Sequence, residues 1–349
     1  MTEPLHILHV SRRFGPVGGM EGYVWHIAGE MAAKGHHIEV LCESLMADAP
    51  PKGVVVHALG RIAPKPRWLS HMRFSGRVHR WLTENPDAQR IVHSHERTAD
   101  HHITTFHGPP FATILEKPWH RRLGLRVQAN LWLEKREVCG AQVRAVVPNS
   151  ILIGESLQQL YPCIGKRLTE PVIPGVGYIP SRTDQSIPSR GGVVGFVGKE
   201  WKRKGLDRAI DIVEQMSRSR PELEFVVAGP DPEEIRPLFG NRALRFKLLG
   251  QTDARPLFAG FDLLLHPARM EPFGMVITEA LSAGVPVVAS DRCGARSEVD
   301  VSRILPLDAS TDQWADCALA ALGRPQPPYR HGWDAVAETY IRLYRKLVR

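Results

Sequence analysis

The chain has 349 residues, of which 45 are Lys or Arg and 37 are Asp or Glu, so its formal net charge is +8. Hydrophobic residues make up 43% and charged residues 23% of the sequence, which excludes the disordered and fibrous classes and is typical of a soluble globular protein. This length is enough for two domains with separate cores, and the excess of positive charge indicates an anionic partner.

The five cysteines are scattered and form no C-x-x-C pair: Cys42, Cys139, Cys163, Cys293 and Cys317. This pattern predicts reduced thiols in a cytosolic compartment, with no disulfide framework and no structural zinc. The first ten residues contain an acid and only a short apolar run, so we do not expect a signal peptide. No apolar stretch reaches the roughly 18 residues that span a bilayer.

The first half of the chain alternates between predicted strands and helices, with glycines at the first turn. This alternation is typical of a parallel sheet built from strand–helix–strand units. The predicted elements are strands at 5–10, 38–42, 54–58, 90–93, 103–106 and 145–148, and a helix at 23–34 that follows a glycine loop at 14–22.

A stretch rich in Pro, Ser and Gly at 180–192 is predicted to be a linker. A second alternating set follows, with strands at 193–197, 224–228, 246–249, 263–266 and 286–289, a helix from Leu206 and a last helix at 333–347. We therefore predict two doubly wound α/β domains, 1–180 (joined by the C-terminal helix 333–349) and 190–325. In such folds the ligand lies in the cleft outside the carboxyl ends of the strands.

The most informative stretch is 271–289, where Glu271 and Glu279 flank a Phe273-Gly274 turn. A glycine at this turn lets the chain bend closely around a ligand. The N–H groups of Met275 and Val276 then open a helix whose N-terminus suits a phosphate. The two carboxylates can accept hydrogen bonds from hydroxyls on either side of a diphosphate. This arrangement predicts a nucleotide sugar as ligand. The alternative is that the two glutamates occur at this spacing by chance.

A second stretch, 195–207, ends a strand at Gly198 and opens a helix near Gly205. Four cations lie between them: Lys199, Lys202, Arg203 and Lys204. Cations at the carboxyl end of a strand can neutralise the charge that builds on a departing diphosphate. A P-loop does not fit, because no Ser or Thr follows Gly198-Lys199. A solvated basic loop is the alternative.

Two histidines, His95 and His107, follow predicted strands, and a glycine loop containing Gly18, Gly19 and Glu21 follows the first strand. The spacing of the loop glycines excludes the dinucleotide fingerprint. No D-x-D carboxylate pair accompanies the histidines, so we do not expect a metal. Structural histidines and a plain strand–helix turn are the alternatives.

These motifs resemble those of the retaining family 4 glycosyltransferases, and the resemblance extends over nearly the whole chain. It implies the GT-B fold, which is an α/β fold of two Rossmann-like doubly wound domains with the active site in the cleft between them. It also implies metal-independent transfer of a sugar from a nucleotide-diphosphate sugar to a hydroxyl of an envelope glycan, such as a lipopolysaccharide core or a lipid-linked saccharide. No cofactor or metal is implied.

The resemblance also implies roles for individual residues. The catalytic residues would be His107, Lys199, Lys204 and Glu271, although Lys199 stands where the family has an arginine. The donor would be bound by Gly19, Gly198, Gly229, Gln251, Phe273, Gly274, Met275, Val276 and Glu279. The acceptor side would contain Gly18, Glu21 and His95.

Two basic segments, Arg61–Arg80 and Lys117–Arg136, contain aromatic residues and almost no acid. Such segments suit an anionic membrane surface or a phosphorylated substrate. We do not expect a nucleic-acid partner, because no nucleic-acid-binding module accompanies the charge. We therefore expect an anionic glycan or glycolipid acceptor and a cytoplasmic protein at the inner face of the cytoplasmic membrane. A solvated basic face is the alternative.

Two rival functions remain open from the sequence. One is a nucleotide-sugar epimerase of the GT-B fold, for which Glu96 and Asp100 would be the N-terminal carboxylates. The other is a non-catalytic basic protein on an inert GT-B scaffold that binds a membrane surface or nucleic acid. The presence of Lys204, Glu271 and Glu279 argues against the non-catalytic alternative.

Overall fold

The computed structural model describes residues 3–182 and 186–348. The chain folds into two compact units, one formed by the residues up to 175 together with those from 332 onward, the other by residues 176–331. The linker predicted at 180–192 includes residues 183–185, which lie outside the described residues.

The first unit is built on a six-stranded parallel sheet. The strands of this unit are β1 (His6–Val10), β2 (Arg13–Phe14), β3 (His37–Cys42), β4 (Ser44–Leu45), β5 (Val54–Ala58), β6 (Arg90–Ser94), β7 (Ile103–Phe106) and β8 (Ala145–Pro148). The sheet order is β5-β3-β1-β6-β7-β8, and β2 pairs only with β4. In β1 the side chains of Ile7, Leu8 and Val10 are fully buried, as expected for a parallel sheet covered on both faces.

The helices described in the first unit are α1 (Met20–Ala33), α2 (Arg67–Glu84), α3 (Leu125–Cys139), α4 (Ile151–Leu160) and α11 (Trp333–Val348). The predicted helix at 23–34 begins three residues earlier, at Met20, so the last residues of the predicted glycine loop 14–22 belong to the helix. The last helix packs on α1, where Lys34 Nζ lies 2.8 Å from a carboxylate oxygen of Glu338. Short 3₁₀ segments occur at Phe111–Glu116, Trp119–Arg121 and Pro162–Arg167.

Cys139 and Cys163 form a disulfide, with their Cα atoms 6.1 Å apart. The prediction of reduced thiols is therefore wrong for this pair, whereas Cys42, Cys293 and Cys317 are free. The two cysteines are 24 residues apart in sequence, and they meet because Val138 and Ile164 pack into one core cluster. Cysteine spacing alone does not reveal such packing.

The second unit repeats the same architecture. Its strands are β9 (Val193–Val197), β10 (Glu224–Ala228), β11 (Arg245–Gly250), β12 (Leu263–His266), β13 (Val287–Ser290) and β14 (Ile304–Leu305), in the order β11-β10-β9-β12-β13-β14. Its helices are α5 (Trp201–Lys204), α6 (Leu206–Ser217), α7 (Pro232–Ile235), α8 (Arg255–Phe258), α9 (Met275–Ser282) and α10 (Thr311–Ala321). Further 3₁₀ segments are Arg236–Leu238, Gly294–Glu298 and Val301–Arg303. Both units are thus Rossmann-like and doubly wound, as predicted.

The strand order of each sheet reverses direction at one point. In the first unit this point lies between β1 and β6, and in the second between β9 and β12. Open parallel sheets bind ligands outside the carboxyl ends of the strands at such a point. The fold therefore marks one edge in each unit as a candidate site. Among the described residues, none of the helices has the length and apolar character needed to cross a membrane.

Candidate active site

In the second unit, a lysine side chain lies against the glycine that follows β9. Gly198 has φ +142°, and a Cβ at this position would overlap the side chain of Lys204. Lys204 is the last residue of the short helix α5, which Gly205 ends in the left-handed conformation. The two glycines together allow the lysine to lie across the carboxyl end of the strand.

Lys204 forms an ion pair with Glu271. Its Nζ donates a hydrogen bond of 2.6 Å to Glu271 Oε2, and Arg203 Nη1 lies 3.2 Å from Oε1. His266, the last residue of β12, places Nε2 3.5 Å from Oε2. The side chains of Lys204 and Glu271 are only 13% and 9% exposed, so little solvent screens the pair.

Glu271 is held ionised by its neighbours. Burial opposes ionisation, but His266 and the charges of Lys204 and Arg203 outweigh it, and the pKa of Glu271 lies well below its usual range. Burial lowers the pKa of His266, so this imidazole is neutral. The site therefore contains a fixed carboxylate between two cations.

Helix α9 begins beside this pair. Gly274 precedes it with φ +99°, and in the part of the chain that the structure describes no side chain caps the helix. Its first N–H groups are therefore open to an anion, towards which the positive end of the helix dipole points. A Cβ at Gly274 would lie 3.0 Å from Glu271 Cγ, so the turn brings the helix start close to the carboxylate.

Glu279 lies one to two turns into α9 and is half-buried. Within the described parts of the chain, its carboxylate has no hydrogen-bond or ion-pair partner. Burial raises the pKa of Glu279, and the charges of Lys204 and Arg255 oppose that rise. A half-buried carboxylate without a partner loses hydration that nothing in the protein replaces, which is the arrangement expected of a ligand contact.

The structure brings some of the predicted site residues together and leaves the side chains of others exposed. Gly198, Lys204, Glu271 and Gly274 lie together, and Phe273 is buried. A Cβ on Gly229 would lie 2.7 Å from the carbonyl carbon of Gly198. By contrast, Lys199 and Gln251 are exposed, and neither side chain has a partner within residues 3–182 and 186–348.

Two residues of this site, Arg203 and His266, were not predicted. Arg203 belongs to the run of four cations, but the run does not reveal which members face Glu271. His266 ends β12 five residues before Glu271, and that position at a strand end was the available signal.

In the first unit, histidines gather at the carboxyl ends of β1, β6 and β7. His9 Nδ1 lies 3.2 Å from His95 Nε2, and His95 Nδ1 lies 2.9 Å from His107 Nε2. Burial lowers the pKa of His9 and of His107 to about 3. It also lowers the pKa of His95 and of His93 well below the usual value. All four imidazoles are therefore neutral at physiological pH.

The cluster His9, His93 and His95 has the spacing of a metal site, since one nitrogen from each lies within 4.8 Å of the others. However, His95 uses both nitrogens to bond His9 and His107. His93 uses both of its nitrogens to bond Tyr344 and Thr105, each at 2.7 Å. These nitrogens are satisfied by hydrogen bonds, so the geometry favours a polar network over a metal centre. Metal independence remains a prediction.

Two adjoining cavities, each of about 550 Å³, lie beside the histidines and share Met20, Arg67, His71 and Glu96. His95 and His107 line the first cavity, and Glu21 lines the second. Glu21 pairs with Arg13, and a Cβ on Gly18 would lie 2.7 Å from a Glu21 oxygen, whereas Gly19 faces open space. Burial raises the pKa of Glu96 to about 7.

The two basic segments form α2 and the region from 117 to α3. Arg77 is half-buried, and its Nη1 donates hydrogen bonds to the carbonyls of Leu59 and Gly60 at 2.8 and 2.7 Å. Arg136 is likewise half-buried and bonds Ser75 Oγ at 2.9 Å. The exposed cations are Arg61, Lys65, Arg67, Arg73, Arg80, Lys117, Arg121, Arg126 and Lys135.

Large apolar side chains in and beside the second basic segment are exposed to solvent. Trp119, Leu123 and Leu125 are 70%, 67% and 74% exposed. Leu115 and Trp132 are 43% and 51% exposed. These five residues lie near exposed cations in the sequence, and we call them the apolar patch.

Comparison with known proteins places both units in one class. The family model described as Glycosyltransferase Family 4 matches residues 17–170, and the model described as Glycosyl transferases group 1 matches residues 191–323. The lipopolysaccharide glucosyltransferase WaaG of Escherichia coli (strain K12) is 25% identical over 94% of this chain and 92% of its own length. A phosphatidyl-myo-inositol mannosyltransferase of Mycobacterium leprae (strain TN) is 25% identical over 95% of this chain and 94% of its own.

Solved structures show the same fold. The crystal structure of WaaG, a glycosyltransferase involved in lipopolysaccharide biosynthesis, superposes with a TM-score of 0.73 at 22% identity and covers 96% of this chain and 95% of that one. Anabaena HepE in complex with UDP and glucose has a TM-score of 0.67 at 18% identity, with 98% and 100% covered. These neighbours confirm the predicted GT-B fold.

Proposed function

We propose that this chain, which belongs to the group 1 and family 4 glycosyltransferases, transfers a sugar from a nucleotide-diphosphate sugar to a hydroxyl of an envelope glycan. The observation that carries the proposal is the buried Lys204–Glu271 pair beside the uncapped start of α9. Relatives named for lipopolysaccharide and for phosphatidyl-myo-inositol support an envelope acceptor.

The donor diphosphate would bind at the start of α9, where open N–H groups and the helix dipole attract an anion. Lys204 would neutralise the charge that grows on the diphosphate as it leaves. Glu271 accepts a hydrogen bond of 2.6 Å from Lys204. It would also accept hydrogen bonds from hydroxyls of the sugar. Glu279, which has no partner among the described residues, would accept hydrogen bonds from the ribose hydroxyls.

The reaction would retain the anomeric configuration by attack on the same face from which the diphosphate leaves. The bond from the anomeric carbon to the phosphate oxygen breaks, and a bond to the acceptor oxygen forms. The acceptor proton passes to the leaving diphosphate, so no protein base, metal or cofactor is required. The protein supplies positioning and charge stabilisation, to which His107 would contribute at the sugar.

The test of this proposal is a pair of matched lysine variants. Sugar release and transfer are measured with UDP-, GDP- and ADP-sugars, first to find the donor and then to compare Lys204→Met with Lys202→Met. Lys202 is exposed and lies over the Trp201 ring, so its replacement should change turnover little. We expect Lys204→Met to lose roughly a hundredfold in turnover. Equal activities of the two variants would contradict the proposed site.

We further propose that the protein is cytoplasmic and attaches peripherally to the inner face of the cytoplasmic membrane, where an anionic glycolipid acceptor would be available. The apolar patch would enter the interfacial region while the exposed cations bind anionic headgroups. Each basic residue near such a surface contributes on the order of 1 kcal/mol.

Vesicle binding tests the membrane proposal. The triple variant Trp119→Ser, Leu123→Ser, Leu125→Ser should lose binding to vesicles that contain anionic lipid, and Arg67→Ser with Arg73→Ser and Arg80→Ser should mimic added salt. Arg77 is left in place because it bonds backbone carbonyls. Val301→Ser, which changes an 85% exposed residue of the other unit, is the control. Unchanged binding by both multiple variants would show that the surface is only solvated.

A further inference from the structure

The histidines of the first unit form a continuous hydrogen-bonded chain that ends at the cavity. His9 is fully buried and bonds His95, which is 4% exposed and bonds His107. His107 lines the cavity. Its second nitrogen, Nδ1, has no partner among the described residues. The ring of Tyr23 packs edge-on against His107, with centroids 4.8 Å apart, which fixes the plane of the imidazole.

Counting hydrogens leaves only two arrangements of tautomers for the three hydrogen-bonded histidines. A neutral imidazole carries one N–H, so it donates at one nitrogen and accepts at the other. If His9 donates from Nδ1, His95 must donate from Nδ1 to His107 Nε2, and the hydrogen of His107 then lies on Nδ1. If the direction is reversed, His107 donates from Nε2 to His95, and its Nδ1 is a bare lone pair facing the cavity.

His9, at the buried end of the row of histidines, distinguishes these two arrangements. His9 Nε2 is buried and has no hydrogen-bond partner within residues 3–182 and 186–348. In the reversed state this atom carries a hydrogen that nothing accepts, whereas in the first state it is only an unused lone pair. Buried N–H groups without a partner are rarer than under-satisfied acceptors, and leaving such a donor unpaired costs about 1–3 kcal/mol.

We infer that His9 and His95 are positioning residues that hold His107 in the tautomer with its hydrogen on Nδ1, so that His107 donates a hydrogen bond into the cavity. His107 then binds an oxygen of the ligand and does not act as a proton acceptor at Nδ1. That the ligand is the transferred sugar rests on the proposed function, but the tautomer itself does not.

The direct test is nitrogen NMR of the full-length protein with ¹⁵N-labelled histidine at neutral pH, with the His107 signal assigned by its loss in His107→Asn. We expect the Nδ1 of His107 to have the shift of a protonated nitrogen and Nε2 that of an unprotonated one. Protonation at Nε2, or averaging between the two nitrogens, would overturn the inference.

Matched amide variants test whether His95 sets the tautomer. The amide of His95→Asn can donate from the place of Nδ1 and should keep His107 protonated at Nδ1. The amide of His95→Gln reaches the place of His95 Nε2, so nothing donates to His107 Nε2. The hydrogen of His107 should then move from Nδ1 to Nε2. An unchanged tautomer in folded His95→Gln would overturn the role of His95. If that variant does not fold, the wild-type spectrum still decides the inference.

Kinetics separates this inference from the proposed function. His107→Asn keeps a donor at the place of Nδ1, whereas His107→Gln does not, so we expect the Gln variant to lose about tenfold more turnover. Greater activity in His107→Gln would overturn the donor role. If both variants turn over normally while the spectrum shows the Nδ1 tautomer, the inference stands and the proposed role of His107 in transfer fails.

Discussion

Replacement of Glu271 by glutamine removes the carboxylate that pairs with both Lys204 and Arg203 at the proposed donor site. The amide has nearly the same shape, so the change isolates charge. Arg203 keeps Glu200 and the Met270 carbonyl, each at 2.6 Å, and the loss therefore falls mainly on Lys204, whose side chain is 13% exposed. Breaking a buried pair costs about 3–5 kcal/mol, because the remaining charge is unpaired.

We expect a cost at the lower end, about 3 kcal/mol, since the amide oxygen can still accept from Lys204. For a unit of this size, that cost lowers the melting temperature by roughly 6–12 °C. Glu200→Gln is the matched control. Its carboxylate is 69% exposed and pairs with the same arginine, and exposed pairs contribute at most about 1 kcal/mol.

The pH dependence gives the sign of the effect. Because the pKa of Glu271 is lower in the folded state than the unfolded value of 4.5, its ionisation stabilises the protein above that pH. This stabilisation is lost as the pH falls through and below 4.5. Thermal unfolding of wild type and Glu271→Gln should therefore differ at pH 7 and converge in acid.

The same variant is assayed for transfer. Misplacement near the reaction centre costs rate, so turnover should fall more than donor affinity. A melting temperature within 2 °C of wild type at pH 7 (a shift of about 1 kcal/mol or less), together with unchanged turnover, would refute the reasoning.

Four other predictions follow from the same geometry. Glu279→Gln should weaken donor binding by about 1.5–3 kcal/mol, the contribution of a hydrogen bond to a charged group, and an unchanged Kd in calorimetry would remove Glu279 from the site. Lys199→Arg should retain activity, because Lys199 is exposed and, in the described part of the chain, its side chain has no partner to lose; a large drop in turnover would contradict this. Glu137→Gln should stabilise the protein at pH 8 but not at pH 4. Burial raises the pKa of Glu137 from 4.5 to about 8, so between these two pKa values the folded state retains a proton that the unfolded state releases. The stability of the wild type therefore falls as the pH rises through this range, by about 1.4 kcal/mol per pKa unit. Finally, EDTA should leave transfer largely intact, and complete loss that zinc restores would point back to the histidine cluster.

The sequence by itself determined the fold class and the two motifs of the donor site. Strand–helix alternation and turn glycines are local features, because each depends on the period and backbone freedom of a few neighbouring residues. For this reason the strands of both sheets apart from β14, the turn at Gly274 and the start of α9 were predicted close to their observed bounds. The two-residue strand β14 was not predicted.

The tertiary structure alone decided which side chains meet. Lys204 and Glu271 are 67 residues apart. That Lys204 and Arg203 contact Glu271 while Lys199 is exposed depends on how Gly198 and Gly205 turn α5 across the sheet edge. His9 and His95 are 86 residues apart and meet only because β1 and β6 are neighbours in the sheet. The Cys139–Cys163 disulfide arises in the same way. Such contacts depend on strand order and on packing between distant segments, and local pattern carries no information about either.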